Sequence, residues 1–194
     1  MTKTNRAVHG FTLIELVTTI AIVAILMLMA VPSFTTYLRN SELTAHANSL
    51  LAAINAARGE AMKRGRNAMV VPSDGADWAS GWVVFVDLDR SLDYAQASDV
   101  TVLNAPPPPA YLTITGRGTT NAAVPYILYD ASGYSRTKAG GFGALTFELK
   151  RSDVSGTEQL SQIRRVKIAS TGRARVCTPK TATDLECSLA AAAL

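Results

Sequence analysis

The first third of the chain carries two apolar patterns, one after the other. From Phe11 to Val31 the residues are almost all apolar, and Glu15 is the only charge among these 21 positions. A run of about 20 apolar residues is long enough to cross a bilayer as a helix. After Pro32, apolar residues recur at steps of three and four, which is the spacing of one helix face. The residues of this stripe are Leu43, Ala47, Leu50, Ile54, Ala57 and Ala61.

The two patterns join into one predicted helix, from Phe11 to about Arg64. Pro32 lacks a backbone N–H and clashes with the preceding turn, so we expect a bend there. Residues 11–31 form the membrane-spanning half and residues 32–65 the amphipathic half, which Gly65 ends. His46 falls in the second half and is expected to face solvent.

From residue 66 onward the pattern changes to short apolar runs separated by glycine and proline. The predicted strands contain Met69–Val71, Trp82–Val86, Tyr111–Ile114, Tyr126–Tyr129, Leu145–Leu149 and Arg165–Ile168. Four consecutive prolines at 106–109 predict an extended linker between two of them. Strands at this spacing, without helices between them, indicate an antiparallel sheet or sandwich. We therefore predict an α+β fold, in which a β-rich head over residues 66–194 packs on the N-terminal helix.

Composition excludes several classes of protein. Of the 194 residues, 48% are hydrophobic and only 18% are charged, which excludes a disordered chain. Two cysteines and two histidines are too few for a four-cysteine or multi-histidine metal centre. The sequence has no P-loop, no HExxH zinc motif and no GxSxG nucleophile, and its aspartates do not have EF-hand spacing. We expect no enzymatic activity, no metal and no cofactor.

The N-terminus is built unlike an ordinary signal peptide. Lys3 and Arg6 favour keeping this end in the cytoplasm. The small residue at which cleavage could occur, Gly10, lies before the apolar run rather than after it. Cleavage there would remove residues 1–10, keep the membrane helix and leave a new amine on Phe11. Glu15 then has two interpretations: it reaches headgroups and water, or it pairs with the Phe11 amine of a neighbouring subunit.

The segment Gly-Phe-Thr-Leu-Ile-Glu-Leu at 10–16 resembles the processing motif of type IV prepilins and type II secretion pseudopilins. The resemblance implies that a membrane prepilin peptidase cuts after Gly10 and methylates the amine of Phe11. It also implies that Glu15 serves subunit docking. The protein would then be a single-pass inner-membrane protein with its head in the periplasm, and it would assemble with other pilins or pseudopilins into a pilus or pseudopilus.

Downstream segments are similar to the FimT/GspH-type minor pilins. The similarity covers the helix end at 57–64, Trp78 with the strand at 81–87, and the segment at 170–173. In one respect the chain differs from the pattern: many relatives have a cysteine after the first strand, where this chain has Val71 and Pro72. A disulfide that uses that position is therefore absent.

Cys177 and Cys187 are the available pair, and they enclose nine residues. On the oxidising side of a membrane a disulfide is the economical interpretation, and free thiols are the alternative. Closing so short a loop would contribute about 2–3 kcal/mol.

Charge is segregated along the head. Between Pro72 and Asn104 there are six acids and one base, whereas between Gln159 and Thr183 there are six bases and no acid. The bases are Arg164, Arg165, Lys167, Arg173, Arg175 and Lys180. Two interpretations stay open: a solvated basic edge strand that resists aggregation, or a binding site for a polyanion such as DNA.

The segment Gly-Arg-Ala-Arg at 172–175 favours DNA. Alternation in an extended segment would put Arg173 and Arg175 on one face about 7 Å apart, close to the spacing of phosphates along one strand. Gly172 would allow a tight turn and close approach to the ligand. The segment also resembles the DNA-contacting Gly-Arg-x-Arg motif of FimT-type minor pilins that act in natural transformation.

The other basic residues would widen the attractive field around this motif. No aromatic residue is interleaved with them along the chain, so base stacking is not expected and binding should be independent of DNA sequence. The sequence thus predicts a minor pilin of a type IV pilus that binds DNA through this basic edge. The alternative is a structural protein without DNA affinity: a minor pilin that primes fibre assembly, or a GspH-like pseudopilin of type II secretion.

Overall fold

A computed structural model of the chain describes residues 11–190, except for the side chains at positions 29, 32, 157 and 158. Its first element is one helix, α1 (Leu13–Arg64, 52 residues), which runs through position 32. Gly65 follows with φ +63°, in the left-handed region that commonly ends helices at glycine. The long N-terminal helix predicted from the two apolar patterns is confirmed, whereas a bend at Pro32 stays a prediction.

The chain divides into two compact units, and the first contains the described residues 11–41. The large apolar side chains described in this unit are exposed, among them Ile14, Ile25 and Phe34. By length and composition the helix could span a membrane, and none of its most apolar window is buried in the protein. This lack of burial separates it from the core helix of a soluble protein.

The second unit begins at Glu42 and contains the rest of α1 and the strands. All six stripe residues of the helix are fully buried, as is Ala53. Their small and branched side chains let the sheets approach the helix closely, as the stripe predicts.

Nine strands follow α1 within residues 11–190, and every pairing between them is antiparallel. They are β1 (Ala68–Pro72), β2 (Trp82–Val86), β3 (Val100–Ala105), β4 (Leu112–Arg117), β5 (Ile127–Tyr129), β6 (Ser135–Arg136), β7 (Leu145–Arg151), β8 (Ile163–Ile168) and β9 (Ala174–Cys177). They form a five-stranded sheet in the order β3-β2-β1-β5-β6 and a four-stranded sheet in the order β4-β7-β8-β9. The predicted α+β architecture is confirmed, with two sheets in the head.

One apolar core unites the helix and both sheets. It contains the buried side of α1, Val84 and Tyr129 of the five-stranded sheet, and Phe147 and Val166 of the four-stranded sheet. Trp78 meets Phe147 edge to face at 4.8 Å between ring centroids. The indole N–H of Trp78 donates to the carbonyl of Thr120 at 2.9 Å, which satisfies the one polar atom of this ring.

The loop at 87–99 covers the outer face of the five-stranded sheet, where Leu92 packs against the buried cluster around Phe85 and the Tyr94 ring lies 5.0 Å from that of Phe85. Carboxylate oxygens of Asp87, Asp89 and Asp99 lie within 4.8 Å of one another. They accept backbone N–H groups of the loop, including those of Ser91 and Ala95. Burial raises the pKa of Asp87, whereas the hydroxyl and N–H of Ser91 lower the pKa of Asp89 to about 2. These acids thus shape the loop that covers this face.

Candidate nucleic-acid interface and assembly segment

The Gly-Arg-x-Arg segment lies at the tip and on the second strand of the β8–β9 hairpin. The N–H of Gly172 donates to the carbonyl of Ala169 at 2.8 Å, and the N–H of Ala169 donates to the carbonyl of Arg173 at 2.9 Å. Gly172 has φ +83°, a conformation that favours glycine. Its close neighbour is the protein itself, because a Cβ at this position would meet the carbonyl oxygen of Gly133. The glycine therefore permits the turn to pack against the loop before β6.

Three further residues fasten this turn. Arg58 of α1 donates from Nε to the carbonyl of Gly133 at 3.0 Å and from Nη2 to that of Thr171 at 3.3 Å. The hydroxyl of Tyr129 donates to the carbonyl of Gly172 at 3.1 Å, and the N–H of Ser135 donates to that of Ser170 at 3.1 Å. The turn is therefore fixed to the helix and to both sheets.

Arg173 and Arg175 line one groove. Its volume is about 370 Å³, and the turn residues 169–171 form the rest of its lining. Arg173 is exposed, whereas Arg175 is half-buried and donates from Nη2 to the carbonyl of Glu186 at 2.5 Å. Both arginines therefore contribute to one groove at the tip of the hairpin.

The side chains of Arg164 and Arg165 of β8 are both engaged by other parts of the head, Arg164 half-buried and Arg165 buried. The side chain of Arg164 points to the helix side, where Nε donates to the hydroxyl of Thr44 at 3.2 Å. Arg165 is buried on the opposite face and forms an ion pair with Glu148 at 2.7 Å. It also donates to the carbonyl of Cys187 at 2.5 Å. Glu148 lies directly opposite Arg165 in the β7–β8 ladder, so their side chains point to the same face of the sheet. The sequence alone does not predict this pairing.

Lys167 is fully buried beneath the C-terminal loop. It lies directly opposite Arg175 in the β8–β9 ladder, and its Nζ is 3.4 Å from the hydroxyl of Ser188. Burial lowers the pKa of Lys167, and the charges of Arg175 and Arg165 lower it further, whereas Asp184 opposes them. Lys167 and Arg165 therefore contribute no exposed charge to the predicted basic face.

The loop that covers these residues is closed by a disulfide between Cys177 and Cys187. Asp184 shapes it by accepting the N–H groups of Lys180, Glu186 and Cys187 at 3.0–3.1 Å. These bonds lower the pKa of Asp184. Lys180 is exposed on this loop. The segment counted as free of acids stops at Thr183, and the rest of the loop adds two acids, Asp184 and Glu186, next to the basic residues.

Helix α1 begins with a reciprocal cap formed by Thr12 and Glu15. The Glu15 N–H donates to the Thr12 hydroxyl at 3.3 Å, and the Thr12 N–H donates to a Glu15 carboxylate oxygen at 3.4 Å. This is the capping box of a Thr-x-x-Glu sequence at a helix start. The Thr-x-x-Glu spacing is visible in the sequence. It gives Glu15 a third role, as part of a helix cap, besides contact with headgroups and water or pairing with the Phe11 amine. Phe11 is exposed, and Gly10 lies outside the described residues.

His46 departs from its expected position. It is half-buried beside Trp82 and Pro106 instead of facing solvent, and this burial lowers its pKa.

Two family models match the sequence. The model for the type II transport protein GspH matches residues 46–172, and the model for the prokaryotic N-terminal methylation motif matches residues 5–31. The fold and the N-terminal motif together define a pilin-like subunit. The first model covers well over half of the chain, so the chain belongs to the GspH family. A search of curated proteins found no match.

Solved structures share the fold. The type IV minor pilin FimU of Pseudomonas aeruginosa is 19% identical, with a TM-score of 0.54 over 73% of this chain and 95% of FimU. The minor pseudopilin EpsH of the Vibrio cholerae type 2 secretion system is 14% identical, with a TM-score of 0.50 over 72% of this chain and 99% of EpsH. The head architecture is therefore common to subunits of a pilus and of a secretion pseudopilus.

Proposed function

We propose that this protein is a minor pilin of a type IV pilus that binds DNA through Arg173 and Arg175 during natural transformation. It is inserted in the inner membrane by residues 11–31, with its head in the periplasm. A prepilin peptidase removes the leader between Gly10 and Phe11 and methylates the Phe11 amine. Glu15 then takes part in assembly with other pilins.

The observation that carries the DNA-binding proposal is the groove at the hairpin tip. Arg173 is exposed on a turn that Arg58, Tyr129 and Gly172 hold in place, so its guanidinium projects from a rigid base. Arg175 lines the same groove. Two arginines that line one groove suit neighbouring phosphates, because such contacts need charge and position but no base sequence.

The contributions of the six candidate bases are unequal in this proposal. Arg173 is the principal phosphate contact, and Arg175 is second because it already donates to the carbonyl of Glu186. Lys180 adds to the field from the loop. Arg164 and Arg165 act through the stability of the sheet, since their side chains are engaged by other parts of the head. Lys167 is buried and adds no exposed charge.

A structural protein without DNA affinity is the second candidate. It is favoured by the same engagement of Arg165 and Lys167, which removes two of six charges from the surface. Such a protein would be a minor pilin that primes assembly or a type II secretion pseudopilin, and it would need only Gly10, Phe11 and Glu15 from the predicted set.

A salt titration of DNA binding separates the two candidates. The full chain is held in non-ionic detergent, so that the micelle does not compete with phosphates, and its affinity for labelled duplex DNA is measured at several salt concentrations. Each phosphate contact contributes about 0.9 to the slope of log affinity against log salt. Arg173→Ala should therefore flatten the slope by about 0.9, and Arg173→Lys should restore most of it.

Arg117→Ala is the matched control. Arg117 is an exposed arginine on β4, at the opposite edge of the same sheet, so the variant loses the same charge far from the groove along the strand order. The proposal expects the Arg117→Ala slope to equal that of the wild type. Equal slopes for Arg173→Ala and Arg117→Ala, or no binding by the wild type, would leave the structural candidate.

A further inference from the structure

An exposed row of two aromatic rings and one guanidinium lies beside the turn at 169–173 that carries Arg173, called the arginine turn below. Tyr134 and Phe142 are 41% and 59% exposed, and their ring centroids are 5.6 Å apart at an interplanar angle of 66°. The guanidinium carbon of Arg136 lies 4.0 Å from the centroid of Phe142 and 6.0 Å from that of Tyr134. Arg136 is held in place by Asp130, whose carboxylate accepts from Nε at 2.6 Å.

The backbone explains why these three side chains share one face. Tyr134 and Arg136 are two residues apart at strand β6, and Phe142 forms a bridge opposite Arg136. Alternate residues of a strand point to the same side, and so do directly opposite residues. Ser135, which lies between Tyr134 and Arg136, is fully buried on the other side. The row is therefore built into the edge of the five-stranded sheet.

Ser135 also joins this row to the arginine turn. Its N–H donates to the carbonyl of Ser170 at 3.1 Å, and its carbonyl accepts from the N–H of Gly143 at 3.0 Å. The turn and the segment that carries Phe142 therefore run along the same free edge of β6. The carbonyl of Gly133 packs against Gly172. Tyr134 directly follows the first of these glycines in the chain and Arg173 directly follows the second, so both residues flank this contact.

We propose that Tyr134 and Phe142 form a stacking platform for unpaired bases, and that the site with Arg173 takes single-stranded DNA. This proposal rests on the proposed function, because it extends the same arginine site. Aromatic rings beside basic residues are the common basis of single-strand binding, since every base has a face that can stack. In a duplex those faces are already stacked, so the rings add little to duplex binding. The ion pair with Asp130 holds Arg136 against the Phe142 ring.

The fold, and not the order of residues along the chain, brings aromatic rings close to the basic segment. No aromatic residue is interleaved with the basic residues at 164–180, and the rings come instead from a segment about thirty residues earlier. The sequence carries no signal for this neighbourhood, because it depends on the pairing of the Ser135 backbone with the turn.

The test compares two forms of DNA across a small set of variants. The full chain in non-ionic detergent is titrated with a labelled single-stranded oligonucleotide and with the matching duplex, at one fixed salt concentration. We expect Phe142→Ala and Phe142→Leu to weaken single-strand binding about tenfold while leaving duplex binding unchanged. Phe142→Leu keeps an apolar side chain, so its loss would show that the ring face is required, and Phe142→Trp should retain binding.

A spectroscopic measurement gives an independent signature. An oligonucleotide that contains 2-aminopurine should change its fluorescence on binding to the wild type and not on binding to Phe142→Leu, because stacking alters the emission of this base. Arg173→Ala should weaken both single-strand and duplex binding.

The outcomes separate the two proposals. If duplex DNA binds through Arg173 and the Phe142 variants bind single strands as well as the wild type, the stacking platform is refuted and the proposed function stands. If the wild type binds neither form of DNA, both proposals fail. If Phe142→Leu is defective in fibre assembly while its single-strand affinity is normal, the row is a contact between subunits and the platform is again refuted.

Discussion

Replacing Gly172 by alanine tests the packing that positions the arginine turn. The backbone there has φ +83°, and forcing an L-residue into left-handed backbone costs about 1–2 kcal/mol. The added Cβ would also meet the carbonyl oxygen of Gly133, and two backbone groups cannot give way as a flexible side chain can. The turn would have to move away from that loop.

Movement of the turn has a cost that follows from its hydrogen bonds. The Tyr129 hydroxyl donates to Gly172 and the Ser135 N–H donates to Ser170, both at 3.1 Å, and each such bond contributes about 0.5–1.5 kcal/mol net. Losing both, together with the backbone strain, gives a destabilisation of about 2–5 kcal/mol. Gly140→Ala is the matched control, because Gly140 has φ +86° but its added Cβ would have no neighbour within 4 Å, so only the strain of about 1–2 kcal/mol applies.

Thermal unfolding of the full chain in non-ionic detergent measures the difference. Trp78 and Trp82 are both buried in the head, so near-ultraviolet circular dichroism reports its tertiary packing. A loss of 1 kcal/mol lowers the midpoint by about 2–4 °C at this chain length. We expect Gly172→Ala to unfold several degrees below Gly140→Ala. Equal midpoints for the two variants would refute the close packing of Gly172 on Gly133.

Three further predictions concern the helix cap, the buried lysine and the C-terminal loop. Glu15→Gln keeps the capping box while Thr12→Val breaks it, and we expect fibre incorporation to fail in Glu15→Gln and to persist in Thr12→Val, because assembly uses the charge of Glu15. Failure in Thr12→Val alone would show that the cap matters instead. Lys167→Met should raise the unfolding temperature, because it removes a charged group whose pKa is lowered by burial. The stability of the wild type should increase as pH rises toward the ordinary lysine pKa, and that of the variant should not. A lower unfolding temperature for the variant would contradict this. The pKa of Asp184 is lowered by the N–H groups it accepts, so its stabilisation is present above the ordinary aspartate pKa and is lost as pH falls below it; unfolding at a series of acid pH values should show this step in the wild type and not in Asp184→Asn.

The helix and most strands could be predicted from the sequence because their signals are local. The stripe from Leu43 to Ala61 repeats at helical spacing, and each of its residues is buried. Strand β2 has a continuous apolar run between glycine and aspartate. Strands β3, β6 and β9 are absent from the predicted strands. In β3 most side chains are exposed, so no buried pattern marks it, and β6 and β9 are only two and four residues long.

The candidate site could be predicted only in part because burial of its charges depends on distant segments. Arg165 and Lys167 are basic residues that the sequence pattern places on the surface, yet the disulfide loop covers them and Glu148 pairs with Arg165. Gly172 is predicted to approach a ligand, and the close approach it makes is to Gly133, 39 positions earlier in the sequence. The capping box at Thr12 is different, since its Thr-x-x-Glu spacing is present in the sequence and could be found there.

The most direct test of DNA binding at the hairpin places a photoreactive residue in the groove and leaves both arginines intact. Thr171 is exposed and lines the groove, and Thr115 is an exposed threonine on β4 at the opposite edge of the sheet. Each is replaced in turn by a benzophenone-bearing residue, and the full chain is irradiated with labelled DNA at low and high salt. We expect crosslinks from position 171 that high salt abolishes, and few or none from position 115. Equal yields from the two positions, or no crosslink at 171, would contradict it.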